Sequence, residues 1–319
     1  QLVFPALYCN LKREGFLRYL PQELVNYMEL ITGLNRQRNQ QIITQVTALN
    51  TFLLKHGITP VFLKGAANLM AELYTDIGER MVGDIDFIFS KKYYPKAIRL
   101  LRGYGYSEVL KANYYFPNQH HYRRLHKKGH IAAIEIHKAF TLEKYNKEFN
   151  YTLTQKNSQT INNMRVLGYA DALKLSIITN QITDHCFYYK TIPLRNAYDV
   201  FLLSKKTSAK NAVSTLAKLM HPTNCFLATC YDVFNKIDSL EYHKNKKATA
   251  YLHTFKSQFT KPKTTRIRRF IIKKYLGVKI SVTLVYKCIV YKQYRIWLFH
   301  YVKDIKTLKR NLKKILLQN

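Results

Sequence analysis

VFLKGAANLM at residues 61–70 and RMVGDIDFIF at residues 80–89 decide how this chain is read. The first is a short apolar run that turns into a helical pattern at Lys64-Gly65. The second is an apolar strand that contains two aspartates. Side chains alternate across a strand, so Asp84 and Asp86 share one face while Ile85 and Phe87 share the other. Two carboxylates at neighbouring same-face positions repel unless a cation lies between them, whether a Lys, an Arg or a metal ion.

Working outward, residues 1–57 carry helical periodicity, with FLRYLPQELVNYMELITGL followed by a run that ends at Gly57 as a C-cap. TPVFLKG reads as a buried strand entering a helix, AANLMAELYTD as that helix, and DIDFIF as the next strand. YYPKAIRLLRGYG is a second helix, with Pro95 in its first turn and Gly103 and Gly105 closing it. YSEVLK and the runs around KKGH (127–130) predict an antiparallel hairpin. Its second arm, HIAAIEIHKAF, sets Ile134 and Ile136 on one face and Glu135 and His137 on the other. Beyond about residue 168 the pattern is helical again. The expected fold is therefore α+β: a short mixed sheet with helices over residues 58–167, an N-terminal helical segment at 1–57, and a C-terminal helical, strongly basic domain at 168–319.

A chain of 319 residues with 47% apolar content buries a sizeable core. Fifty-two Lys plus Arg against nineteen Asp plus Glu give a net charge of +33, which favours a polyanionic partner over a neutral one. Residues 256–319 hold eighteen Lys or Arg against one acid, Asp304, so the excess is concentrated. RIRRFIIKKYLGVKI and KDIKTLKRNLKKILL read as amphipathic helices with a basic face, suited to an RNA backbone or to an anionic membrane surface. The apolar stretch from Ile280 is broken by Lys287, Lys292 and Arg295, which excludes a transmembrane span. Five cysteines (Cys9, Cys186, Cys225, Cys230, Cys288) lack framework or zinc spacing and read as reduced thiols of a cytoplasmic protein, with peripheral membrane contact as the other location.

A strand, a helix begun at glycine and a second strand carrying D-x-D together meet the needs of phosphate chemistry. Gly65 lets a phosphate approach the backbone, and Lys64 adds a cation. Asp84 and Asp86 offer oxygen ligands suited to magnesium or manganese, and Glu135 completes the acidic cluster. Two ions in such a site activate an attacking hydroxyl and steady a triphosphate.

The run Leu63-Lys64-Gly65, then Tyr74, Arg80 and Asp84-Ile85-Asp86, resembles the signature of an uncharacterised nucleotidyltransferase family within the DNA polymerase β-like superfamily. It is more distantly similar to the nucleotidyltransferase toxins of abortive-infection systems. Ile134-Glu135-Ile136-His137 resembles the family's next strand, and His185 with Leu194-Arg195 through Asp199 resembles its helical segment. The resemblance implies a metal-dependent transferase that uses an NTP as substrate. It implies Asp84, Asp86 and Glu135 as catalytic carboxylates and metal ligands, Lys64 and Gly65 as phosphate-binding residues, and Arg80 steadying either the triphosphate or the aspartates. Ala66 stands where many members of the superfamily have Ser or Gly. The acceptor expected from the charge is RNA, with tRNA as one form. A protein or small-molecule acceptor, or a non-catalytic nucleic-acid-binding scaffold, are the alternatives. Read without the resemblance, His137 is a packed strand histidine and Tyr74 a packing residue. His120, His121, His126 and His130 lie with Arg123, Arg124, Lys127 and Lys128 on a basic edge. His185, Arg195 and Asp199 form a polar network between helices.

Overall fold

The computed structural model describes residues 2–109, 116, 117 and 119–303. These fall into two compact units, one from residues 1–109 and 120–260 and one from 110–119 and 261–319. In the first unit the order is α1 (Phe4–Arg13), α2 (Gln22–Lys55), β1 (Val61–Leu63), α3 (Lys64–Met70), β2 (Asp84–Ile88), α4 (Tyr94–Gly103), β3 (Ser107–Glu108), β4 (Leu125–His126) and β5 (Ala133–His137). There follow α5 (Tyr151–Thr154), β6 (Gln159–Ile161), β7 (Met164–Val166), α6 (Tyr169–Ile178), α7 (Cys186–Tyr189), α8 (Leu194–Ser204), α9 (Ala209–Ser214), α10 (Met220–Val233) and α11 (Lys246–Thr260). The second unit is built on α12 (Pro262–Val290) and α13 (Lys292–Lys303). Leu110 and Lys111 of YSEVLK, and residues 304–317 of the basic C-terminal run, lie outside the described residues.

Seven strands form one mixed sheet in the order β3-β4-β5-β2-β1-β7-β6. The α+β expectation holds, and the acidic strand β2 sits in the middle of the sheet. It runs antiparallel to β1, with Leu63 opposite Asp86, and parallel to β5, with Asp86 opposite Glu135 and Ile88 opposite His137. The expected hairpin is present, with Leu125 of β4 opposite Ile134 of β5. Alternation divides β2 between two cores. Ile85, Phe87 and Phe89 join α2 residues Ile42, Val46, Leu49 and Leu53 in the larger one. Ile88, on the aspartate face, joins Val61, Leu63, Leu167, Leu175 and Ile178 in the smaller one.

The helix ends follow the sequence closely where glycine supplies the left-handed turn. Gly57 has φ 72° and Ile58 N–H reaches back to the Leu53 carbonyl, closing α2 as expected. The helix expected over AANLMAELYTD stops earlier, at Met70, because Glu72 takes φ 52° and Leu73 N–H bonds the Asn68 carbonyl. That cap turns Leu73 and Tyr74 inward, where both are buried, so tertiary packing overrides the local helical pattern. The β6–β7 hairpin was not foreseen. Asn162 and Asn163 both have positive φ at its tip, and Asn tolerates that region better than most residues. All five cysteines stand as free thiols, four of them buried.

Phe87 is fully buried in the larger core and tilts against Phe62 with ring centroids 5.8 Å apart. Phe87→Ala is expected to lower stability by about 3–5 kcal/mol, read as the shift of a urea unfolding midpoint.

Candidate functional site

The β2–β5 register puts Asp84, Asp86, Glu135 and His137 on one face of the sheet. One oxygen each from Asp86 and Glu135 and a ring nitrogen of His137 all lie within 4.8 Å of one another, close enough to share one metal ion. His137 is 4% exposed and its Nε2 stands 2.7 Å from Asp86 Oδ1. The sequence reading as a packed strand histidine is half of the finding: the ring is packed, and it is also a partner of the central carboxylate. Its other nitrogen, Nδ1, is buried without a hydrogen-bond partner.

Asp86 is the most enclosed of the three acids on this face. Burial opposes its charge, but Lys64 and His137 outweigh burial and hold the carboxyl far below the usual carboxylate range. Lys64 Nζ lies 2.7 Å from Asp86 Oδ1. Burial works against the lysine charge too, and the Asp86 carboxylate more than offsets it, raising the Lys64 pKa. The lysine reaches this place from an unusual backbone: φ is 54° at the junction of β1 and α3, a conformation that costs a non-glycine residue of the order of 1–3 kcal/mol. Gly65 therefore has a different use from the one its position implies. It does not supply the left-handed turn. A Cβ there would stand 3.2 Å from Val82 Cγ2 and 3.5 Å from the Arg80 guanidinium, so the glycine is needed for close approach.

Arg124 is the residue that sequence reading misplaced. The sequence puts it on a basic edge, whereas its guanidinium bonds Asp84 and its Nε lies 3.4 Å from Glu135 Oε1. Arg123 beside it is bound to Glu108 at 2.7 Å. His120, from the same cluster, is pushed down to about 4 by burial and by the neighbouring His121 and His137, so it is neutral at physiological pH. The only signal for Arg124 in the chain is the antiparallel pairing of Leu125 with Ile134, which brings the start of β4 alongside Glu135.

Among the described residues, the ion pair of Arg80 is with Asp199 of α8 and not with the aspartates of β2. Its Nε and Nη2 make a bidentate pair with Asp199 at 2.8–3.0 Å, and Tyr74 Oη donates to the same carboxylate at 2.7 Å. Both members of the pair are almost fully buried. The loop that carries Arg80 is fastened to α2 by Asn35 and Asn39, whose side-chain amides donate to the carbonyls of Ile77, Gly78 and Arg80. Arg80 thus ties the β2 entry to α8, and the expected His185–Arg195–Asp199 network is instead Tyr74–Arg80–Asp199.

A cavity of about 350 Å³ opens between these groups, lined by Lys64, Asp84, Asp86 and Glu135 on the sheet side and by Asp184 and Arg195 on the helical side. Arg195 forms no ion pair among the described residues; its Nη1 reaches only the Met81 carbonyl, at 3.4 Å. Burial and the neighbouring Arg80 lower its pKa. A half-buried guanidinium beside a second one is an anion-seeking group. Asp184 follows a π-helical turn, Thr179–Thr183, and burial raises its pKa.

Residues 1–232 match the profile of a family described as an uncharacterised nucleotidyltransferase. The chain belongs to this family. Membership makes it a nucleotidyltransferase, as the Lys64-Gly65 and Asp84-Ile85-Asp86 signature implied. Among solved structures, it is similar to the antibiotic-resistance factor ANT(2'')-Ia, with 10% identity and a TM-score of 0.38 over 54% of this chain and 88% of that one. It is similar to an antigenic nucleotidyltransferase-like protein from Paracoccidioides brasiliensis, with 14% identity and a TM-score of 0.37 over 72% of this chain and 93% of that one. It is also similar to JHP933 from Helicobacter pylori, with 14% identity and a TM-score of 0.33 over 78% and 97%. Likenesses at this level carry no further argument. No curated protein matches the chain.

Two outcomes check this geometry. Asp199→Ala leaves the Arg80 charge buried and unpaired, and is expected to cost about 3–5 kcal/mol in urea unfolding. The pKa of Asp86 is depressed in the fold, so its contribution is complete above the unfolded value near 4 and is lost as pH falls through that range. With EDTA present, the melting temperature is therefore expected to fall more steeply from pH 6 to about 3 in the wild type than in Asp86→Asn.

Proposed function

We propose that the chain transfers a nucleoside monophosphate from an NTP to an acceptor hydroxyl, with Asp84, Asp86 and Glu135 as the catalytic carboxylates. The observation that carries this reading is the parallel pairing of Asp86 with Glu135, with Asp84 on the same face, at the wall of a cavity that also presents Lys64 and Arg195. The set of Asp86, Glu135 and His137 fits a divalent metal: hard carboxylate oxygens with one histidine nitrogen, already within one coordination sphere of each other. Magnesium or manganese held there by Asp84, Asp86 and Glu135 would polarise the α-phosphate and lower the pKa of the acceptor hydroxyl.

The chain's own residues divide the remaining work. Asp86 stays ionised throughout the physiological range, so the site keeps its negative charge. Lys64 and Arg195 supply positive charge for the triphosphate. Ala66 adds no hydroxyl for the phosphates, which places more of the grip on the two cations, and Gly65 lets Val82 and Arg80 pack closely behind them. Arg80 positions the Gly65 wall through Asp199 and is not itself a ligand in this reading. In the reaction the acceptor oxygen forms a bond to the α-phosphorus. The bond from that phosphorus to the oxygen bridging to the β-phosphate breaks, the acceptor proton passes to solvent or a carboxylate, and pyrophosphate leaves. The acceptor we put first is RNA, tRNA included, because a net charge of +33 favours a polyanion.

The test is incorporation of label from each of the four α-labelled NTPs, with magnesium and total RNA, by wild type and by Asp84→Ala/Asp86→Ala. Label in RNA from the wild type alone, reduced by about 10³-fold or more in the variant, is the expected result. Label in protein or in a small molecule would overturn the RNA acceptor and keep the transfer reaction. No label, together with no NTP binding by calorimetry, would overturn the catalytic reading. Arg195→Gln is expected to raise the KM for NTP about ten-fold or more, with the melting temperature unchanged.

A further inference from the structure

The strongest unassigned feature of the molecule is the surface of α12. Ile267, Ile271, Val278, Val282, Val285 and Ile289 recur at intervals of four, seven, four, three and four residues. At 100° per residue they fall within one narrow arc, a stripe about 33 Å long. Every one of them is 59–71% exposed. On the opposite side Leu276 is buried, the one buried residue of α12 among those described, while nearby Ile280 is 56% exposed. Aliphatic side chains left in water on this scale mark an interaction surface.

The charges beside the stripe select its partner. The helix holds eight Lys or Arg and no Asp or Glu. On the same angular scale Lys263 and Lys274 border the stripe on one side, and Arg268 and Lys279 border it on the other. A second copy of the chain fits poorly. The 4–3 spacing suits a coiled coil, but pairing would set like charges along both flanks with no acid to meet them. RNA would engage the cations and the exposed rings of Phe270, Tyr275 and Tyr286, but it would leave the six Ile and Val side chains in water. An anionic lipid surface takes both features at once, with the aliphatic stripe in the boundary layer of the acyl chains and the flanking ammonium and guanidinium groups at the head groups. Crossing the bilayer is not the mode, since no helix among the described residues is long and apolar enough to do so.

We propose that α12 lies in the plane of an anionic membrane and docks the transferase there, whichever acceptor the catalytic site uses. The test is co-sedimentation of the full-length protein with vesicles of phosphatidylcholine alone and with about 30% phosphatidylglycerol added. The wild type is expected to partition onto the anionic vesicles about ten-fold or more above the neutral ones. Val278→Asp/Val282→Asp is expected to lose about ten-fold of that binding with its melting temperature unchanged, since both side chains are exposed in the folded chain. Val278→Leu/Val282→Leu is expected to retain it. Equal partition of wild type and the Asp variant, or equal binding to both vesicle types, would overturn the proposal. So would either of two vesicle-free results. One is a dimer by sedimentation velocity that the Asp variant abolishes. The other is RNA retention in gel shifts that the Asp variant leaves intact and Lys273→Gln/Lys274→Gln weakens.

Discussion

A buried carboxylate kept ionised is the constraint on which the rest of the catalytic unit turns. Asp86 lies near the centre of the sheet, where an unpaired charge would be costly, and the fold surrounds it with Lys64 on one side and His137 on the other. Meeting that need explains several features that look separate. Lys64 holds a left-handed backbone at the end of β1, and from there its amine donates to Asp86 at 2.7 Å. His137 is buried at a strand end where a histidine alone would gain little. Arg124 comes in from β4 to neutralise Asp84 and Glu135 at the more exposed end of the same acidic face. The carboxylates are thus brought together at a concentration of negative charge that the protein's own cations balance, in an arrangement suited to cationic ligands.

A second set of buried polar contacts fixes where the helical wall stands relative to the sheet. Arg80 and Tyr74 converge on Asp199 of α8. Glu79, one residue earlier, accepts from Arg13 of α1 and from Tyr198 of α8, each at 2.6 Å. The loop between α3 and β2 is therefore clamped from α1, α2 and α8 together. That clamp holds α8 at the cavity, where Arg195, one turn before Asp199, lines the wall. A buried pair of this kind contributes less to net stability than to geometry, since its desolvation cost consumes much of its Coulombic gain.

The long basic helix follows a different logic. In the catalytic unit cations are matched to particular acids. On α12 they have no acids to match in their own helix, and they alternate with aliphatic side chains that point outward. The excess charge that distinguishes this composition is thus of two kinds: cations set against particular acids in the catalytic unit, and cations on a long helix that carries no acid of its own.

The sequence by itself determined the elements that depend on local chemistry: the α+β class, the acidic strand, the alternation that puts Asp84 and Asp86 on one face, and the glycine cap at Gly57. It also carried the family, because Lys64-Gly65 and Asp84-Ile85-Asp86 are short, contiguous and chemically demanding. Glu135 and His137 were legible as sharing a face, since period two is a local property. What only the tertiary structure decided was partnership. The role of Arg80 turns on Asp199, more than a hundred residues away, and nothing local distinguishes an arginine bound for a buried pair from one facing a ligand. Arg124 looked like surface charge until strand pairing brought it to Glu135. The early end of α3 likewise depended on burying Leu73 and Tyr74. Periodicity records which face a residue occupies; long-range pairing decides what stands opposite, and charge compensation acts at that distance.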